Sequence, residues 1–275
     1  MSRLMILFLA FFLSACERVN QETPARPERP ARIVSLDYCA DQYVLKLVDR
    51  DRILALSPDA GREFSYMRAA AAGVPTVRPN AEDVLILKPD LVVRSYGGGP
   101  NAAAFFEKAG VPVVDIGWTP DIPSVMENTQ RIADALGESE RGAAVNEDMQ
   151  ERLAHLKKRS TGETALYMTP AGVTTGPGSL IHEMIVAAGL TNMEDQYGWR
   201  SLPLETLAYE KPDVVAAAFF GSRTNHPDAW SPMKHPVAKA QLTQSEVVSL
   251  EGAWTSCSGW FLMDAIEALA GGETQ

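Results

Sequence analysis

Apolar residues gather in short runs, each closed by a polar turn and followed by residues with helical periodicity. Ile33-Val34-Ser35-Leu36, Ile53-Leu54-Ala55-Leu56, Val74-Pro75-Thr76-Val77, Leu91-Val92-Val93 and Val111-Pro112-Val113-Val114 occupy the first half. Ala165-Leu166-Tyr167-Met168, Val214-Val215-Ala216 and Val247-Val248-Ser249-Leu250 occupy the second. Runs of this length read as strands. The spacing predicts helices from Asp37 through Val48, over the small residues before Val74, and over 102–109, 180–188 and 260–270. Strands alternating with helices imply parallel sheets. Residues 57–66, 95–100 and 224–236 read as loops, and Thr174-Thr175-Gly176-Pro177-Gly178-Ser179 as a glycine-rich turn.

Residues 121–158 carry no strand signal. A helix to about Leu136 stops at Gly137, and a second runs from about Ser139 to Lys158, closed by basic residues as the helix dipole prefers. About 20 residues at 1.5 Å each reach roughly 30 Å, enough for a rigid connection between two lobes. Two ordinary helices packed on one lobe are the alternative. The expected fold is α/β: two Rossmann-like lobes with parallel sheets, residues 31–137 and 161–275, joined by one long linker helix at 138–160. The ligand cleft is expected between the lobes.

One phrase occurs twice. Glu82 to Val92 reads Glu-Asp-Val-Leu-Ile-Leu-Lys-Pro-Asp-Leu-Val, and Glu205 to Val215 reads Glu-Thr-Leu-Ala-Tyr-Glu-Lys-Pro-Asp-Val-Val, at a constant offset (205 − 82 = 123). In both, a short helix ends before Lys-Pro, because proline lacks an amide donor and disfavours helix in the residue before it. A helix and strand repeated at this distance indicate two similar lobes.

The start of the chain reads as an address. Arg3 precedes ten apolar residues, Leu4 to Leu13, and then Ser14-Ala15-Cys16. Ten residues are too few to span a bilayer, and the pattern is that of a secretory signal peptide over 1–15. Leu13-Ser14-Ala15-Cys16 looks like a bacterial lipobox, with Cys16 the lipidated residue; an incidental cysteine in a secreted protein is the alternative. Residues 16–30 contain Pro24, Pro27 and Pro30 among balanced charges and read as an extended tether. The expected location is the periplasm, lipid-anchored to a membrane.

Composition narrows the function classes. At 46% hydrophobic and 22% charged, the 275 residues are those of a globular protein. A net charge of −10 argues against a nucleic-acid partner or a polybasic membrane surface. The histidines at 155, 182, 226 and 235 are scattered and no HExxH or CxxC occurs, so a zinc ribbon or thioredoxin motif is excluded. Ligands in open α/β sheets bind at the carboxyl ends of strands. Those positions hold Tyr38, Cys39, Arg62, Tyr66, Tyr96 and Trp118 in the first lobe. In the second they hold Met168, Thr175, Trp199, Arg200, Phe220, Arg223 and Trp254. Loop aromatics with a few arginines suit a bulky, partly planar ligand.

With these residues in place, the chain resembles a bacterial periplasmic substrate-binding protein of the helical-backbone type. Such proteins serve ABC importers of ferric siderophores, haem and vitamin B12. The resemblance covers about 32–270. It rests on Arg32-Ile33-Val34-Ser35-Leu36, the doubled Glu…Lys-Pro-Asp, the Thr174-Thr175-Gly176 turn, and Gly198-Trp199 six residues before Glu205. It implies capture of an iron–siderophore complex or a corrinoid such as cobalamin, delivery to a permease dimer and its ATPase, no intrinsic cofactor, and a monomer. It also implies that Glu82 and Glu205 dock the permease, one from each lobe. Arginines at 62, 94, 200 and 223 lean toward an anionic siderophore, whereas three loop tryptophans fit a corrinoid or haem. Cys39 and Cys257 both follow strands. A disulfide across or beside the cleft, two free thiols, and contact with a metal centre in the ligand all stay open. Alternatives within the fold are a haem binder or a binder of free zinc or manganese, the latter short of converging ligands. A hydrolase using Ser179 and His182 is the alternative of another class; it lacks GxSxG.

Overall fold

The computed structural model describes residues 28–160, 162–218 and 231–271. The expected signal peptide, Cys16, most of the tether, Phe220 and Arg223 lie outside the described residues.

The first lobe contains strands β1 (Ile33–Ser35), β2 (Ile53–Ala55), β3 (Leu91–Arg94) and β4 (Val113–Asp115), with helices α1 (Tyr38–Leu47), α2 (Ala81–Ile86), α3 (Ala102–Lys108) and α4 (Ile122–Leu136). Helix α5 (Ser139–His155) follows. The second lobe contains β5 (Thr164–Met168), β6 (Val173–Thr175), α6 (Leu180–Ala187), β7 (Thr191–Asn192), β8 (Trp199–Ser201), α7 (Leu204–Leu207), β9 (Val214–Ala217), α8 (Pro236–Gln244), β10 (Glu246–Ser249), α9 (Gly252–Thr255) and α10 (Leu262–Leu269). The main sheets run β2-β1-β3-β4 and β7-β5-β9-β10, and every pairing in them is parallel. Within each main sheet, taken in chain order, the strands lie second, first, third, fourth. Strand β3 is buried throughout, as parallel strands covered on both faces require.

The repeated phrase explains part of this likeness. Asp90 accepts hydrogen bonds from the amides of Ala31 (2.8 Å) and Arg32 (2.9 Å), just before β1. Asp213 accepts from the amide (2.8 Å) and hydroxyl (2.9 Å) of Thr164, where β5 begins. In each lobe the aspartate of Lys-Pro-Asp pins the start of the neighbouring central strand. These bonds, the Thr164 amide foremost, hold the Asp213 carboxyl below its ordinary value.

Helix α4 opens with a capping box between Asp121 and Ser124, and Gly137 ends it with φ +72°. Helix α5 then lies along α4 and touches α10. Its 17 residues span about 25 Å. It ends at His155, short of the expected 160, because Arg159 is drawn onto the second lobe. Arg159 donates to Leu269 O (2.6 Å) and pairs with Glu163 and Glu246.

Two other expectations fail. The small residues before Val74 form successive turns instead of a helix, and the Val74–Val77 run contributes one bridge, Thr76 to Leu56. Pro75 has no amide to offer a ladder. Thr174 and Thr175, read as the start of a turn, instead belong with Val173 to β6, which pairs antiparallel with β8. Three-residue strands flanked by glycine and proline carry no alternation long enough to register.

The core crosses the lobes. Tyr43 and Leu47 of α1, Ile132 and Leu136 of α4, Ile181 and Ile185 of α6, and Phe261 and Ile266 near α10 form one continuous buried cluster. Each sheet's other face has its own smaller cluster. Across the seam the Tyr43 hydroxyl donates to Ser258 O (3.0 Å). Cys39 and Cys257, with Cα atoms 5.5 Å apart, are joined by a disulfide.

Candidate functional site

The loops that follow β1 and β3 are organised by a buried carboxylate. Asp37 follows β1 and caps α1 by accepting from the Ala40 amide (3.0 Å). Its second oxygen accepts from the amides of Ser95 (2.7 Å), Tyr96 (3.1 Å) and Gly97 (2.8 Å). A side chain at Gly97 would collide with the Leu36 carbonyl, so only glycine permits this approach. The anchored loop holds the Tyr96 ring 6.0 Å from that of Tyr38, edge-on, and Tyr38 meets Phe64 at 4.6 Å. Burial, then the Asp37 carboxylate among its neighbours, raises the Tyr38 hydroxyl above its ordinary value. Burial and the neighbouring Tyr38 raise Tyr96 further. Both are neutral phenols at pH 7, and the Tyr96 hydroxyl is a hydrogen-bond partner of Tyr38.

The second feature is a pocket of about 240 Å³ walled by Trp118 from the first lobe and Trp199 and Trp254 from the second. Trp118 follows β4, Trp199 opens β8, and Trp254 lies on α9 after β10, so the three reach one place from separate elements. Trp118 is 76% exposed and Trp199 54% exposed, far more than packing would leave. The rest of the wall is Thr119, Leu180, Ile181 and Met184 with residues 255–258 and Ser179, and it contains no ionisable group, because Cys257 is bonded to Cys39.

Several expected site residues are committed elsewhere. Thr175 is fully buried, and its hydroxyl donates to Gly198 O (3.1 Å), bracing the β6–β8 ribbon that carries Trp199. Tyr66 stacks on Phe261 at 5.0 Å and donates to Asp264 (2.8 Å), sealing the lobe seam. Arg94 is buried and holds Gly97 O, Gly99 O and Asp115. Arg62 lies 4.0 Å from Asp59, and Arg200 lies 3.5 Å from Glu194. The Ser179 hydroxyl donates to Gly176 O and accepts from the His182 amide as the cap of α6, so it is spent on the helix. Asp37 and Phe64 had no place in the expected site. A helix-cap signal at Asp37 was legible, but its bonds to residues 95–97 join positions about sixty apart in sequence.

Glu82 and Glu205 are exposed, each in the first turn of its short helix. Among the described residues neither takes part in an ion pair. The start of α2 lies beside the loop after β3, since Pro79 O approaches the Gly98 position. The start of α7 lies beside the loop after β5, where the Leu202 amide donates to Gly172 O (2.9 Å). Both glutamates therefore sit toward the carboxyl ends of the strands.

A wider cavity of about 1020 Å³ runs along the α5–α10 seam. Its walls include charged groups already paired: Arg152 binds Asp264 (2.7 Å) and Glu267 (2.8 Å). Size alone does not make it the ligand site; the tryptophan pocket lies where strand ends from both lobes converge. Among the described residues, no group of three or more His, Cys, Asp or Glu side chains is placed to hold a metal ion.

Residues 33–227 match the family described as periplasmic binding protein. No curated protein sequence matches the chain significantly. Similar solved structures include a periplasmic heme-binding protein from Pseudomonas aeruginosa (22% identity, 88% of this chain and 92% of that one, TM-score 0.65). The periplasmic heme-binding protein HutB of Vibrio cholerae is similar at 18% identity (87% and 97%, TM-score 0.69). The periplasmic vitamin B12-binding protein BtuF of Vibrio cholerae is similar at 18% identity (89% and 97%, TM-score 0.64).

Proposed function

The chain belongs to the periplasmic binding protein family, and we propose that it is a lipid-anchored binding protein that captures a bulky metal chelate between its lobes and hands it to an ABC permease. Its work is binding and delivery, without catalysis. The observation that carries the ligand class is the meeting of Trp118, Trp199 and Trp254 around a wall free of ionisable groups. Indole faces and an uncharged wall favour a large ring system that arrives with its metal already coordinated. Tyr38 and Tyr96, neutral at pH 7 and bonded to each other, present one hydroxyl donor for an amide or carbonyl group of a ligand that reaches beyond the pocket. This combination fits a corrinoid. An anionic ferric siderophore is the second reading, favoured by Arg62 and Arg200, though each already faces a carboxylate. Glu82 and Glu205 dock the permease, and Cys16 carries the lipid.

Titrating the purified soluble domain with cyanocobalamin, ferric siderophores and haemin while following tryptophan fluorescence tests this. Cobalamin is expected to quench the signal at sub-micromolar concentration, and Trp118→Ala to weaken binding about tenfold. Preferential quenching by a ferric siderophore would transfer the assignment to the anionic class. A flat response to all three would overturn it.

A further inference from the structure

The repeated phrase carries a second pair of surface residues. One helical turn after Glu82 stands Ile86, and one turn after Glu205 stands Tyr209. These two positions obey the same offset as the glutamates (209 − 86 = 123). Ile86 is 77% exposed and Tyr209 is 92% exposed. In the first lobe Glu82 and Ile86 both lie on α2, and side chains four residues apart on a helix share a face. In the second, Tyr209 stands in the turn just past the end of α7, its amide donating to Thr206 O (3.0 Å), so each lobe presents an acid and, one turn on, an exposed apolar group. Neither lobe's core uses either residue. Neighbouring positions in both copies turn inward normally: Val84 and its counterpart Leu207 are buried.

We propose that each lobe docks through a two-part knob, Glu82 with Ile86 and Glu205 with Tyr209. The partner is the membrane-embedded pair of subunits of an ABC transporter, each presenting a cation beside an apolar recess. The inference rests on the reading of this chain as a transporter-docking protein and adds the apolar half of the contact. Two features select this partner. The knobs occupy equivalent places in two lobes of identical strand order, so the partner must offer two matched sockets. Each acid lacks an ion-pair partner among the described residues, and the chain carries a net charge of −10, so the sockets must be basic. The acids supply steering and salt sensitivity, and the apolar groups supply contact that salt does not screen.

The test measures binding of the full chain to its ABC transporter in nanodiscs at several salt concentrations, with ligand affinity followed separately by tryptophan fluorescence. Ile86→Ser and Tyr209→Ser should each weaken docking about tenfold, with the salt dependence of wild type. Glu82→Ala and Glu205→Ala should weaken docking and flatten its salt dependence. All four should bind ligand as wild type does. In cells, a photocrosslinking residue at 86 or 209 should capture a membrane subunit of the transporter, while one at exposed Val186 should not. Serine variants that dock normally beside glutamate variants that fail would overturn the apolar half and leave the docking reading standing. Normal docking by all four would overturn both. Crosslinking of 86 to a second copy of this chain would replace the transporter with a homodimer.

Discussion

Two buried aspartates one turn apart at the start of α1 show how differently one residue type behaves. Asp37 meets four backbone amides and organises the loop that carries Tyr96. Asp41, also fully buried, takes the Ser57 hydroxyl (2.6 Å) and amide (3.1 Å). Burial nevertheless pushes its carboxyl up to about 6, against the pull of those bonds. A carboxyl raised on folding binds its proton more tightly in the native state. Its contribution is therefore complete below about pH 4 and is lost as pH rises through 6, by about 3 kcal/mol in all. The substitution Asp41→Asn keeps an acceptor and a donor for Ser57 and removes the titration. Denaturant unfolding should show the Asp41→Asn variant gaining on wild type between about pH 4 and pH 7. Parallel stability curves would contradict this assignment.

At the scale of the element, Lys-Pro-Asp is more than a helix stop. Asp90 and Asp213 tie the end of one helix–strand unit to the beginning of the central strand beside it. Both sit at the amino ends of the strands, away from the tryptophan pocket. Asp90→Ala and Asp213→Ala should each cost about 1 kcal/mol, since the lost bonds are exposed to water. Affinity for the proposed chelate should not change. A drop in affinity with normal stability would mean that these turns communicate with the cleft. The β6–β8 ribbon is the element that most affects the site, because it carries Trp199 on a brace made by Thr175.

Across the whole molecule, the lobes are not free bodies on a hinge. One buried cluster runs through both, the Tyr43, Tyr66 and Arg152 contacts clasp the seam, and the Cys39–Cys257 bond joins residues 218 apart. Closing so long a loop stabilises the folded state by about 5 kcal/mol in the chain-entropy account. Replacing both cysteines with serine, or reducing the bond, should lower unfolding free energy by about 2–5 kcal/mol. Hydrogen exchange should rise first along α1 and residues 255–261. Mass spectrometry without reductant should show Cys39 and Cys257 peptides joined; two free thiols would end the idea.

Local pattern was enough to read the alternating strands and helices and the doubled unit. Each depends on hydrophobic spacing or turn chemistry within a dozen residues. Of the three tryptophans expected in loops only Trp118 lies in one, since Trp199 opens β8 and Trp254 lies on α9. The order of strands, the partner of Cys39 and the company of Tyr38 were not readable in this way. They are set by which distant surfaces bury each other. Tyr66, Thr175, Trp118 and Trp199 all read alike in the sequence as residues beyond strand ends, and sequence position cannot separate them. Folding does so: Tyr66 finds Phe261 and Asp264 at the seam, Thr175 finds Gly198, and the tryptophans are left facing one pocket. Sequence pattern by itself determined the alternation of strands and helices and the repeat of one helix–strand unit at an offset of 123 residues. Tertiary structure decided which expected site residues stay exposed around one pocket, because packing and hydrogen bonding consume the others first.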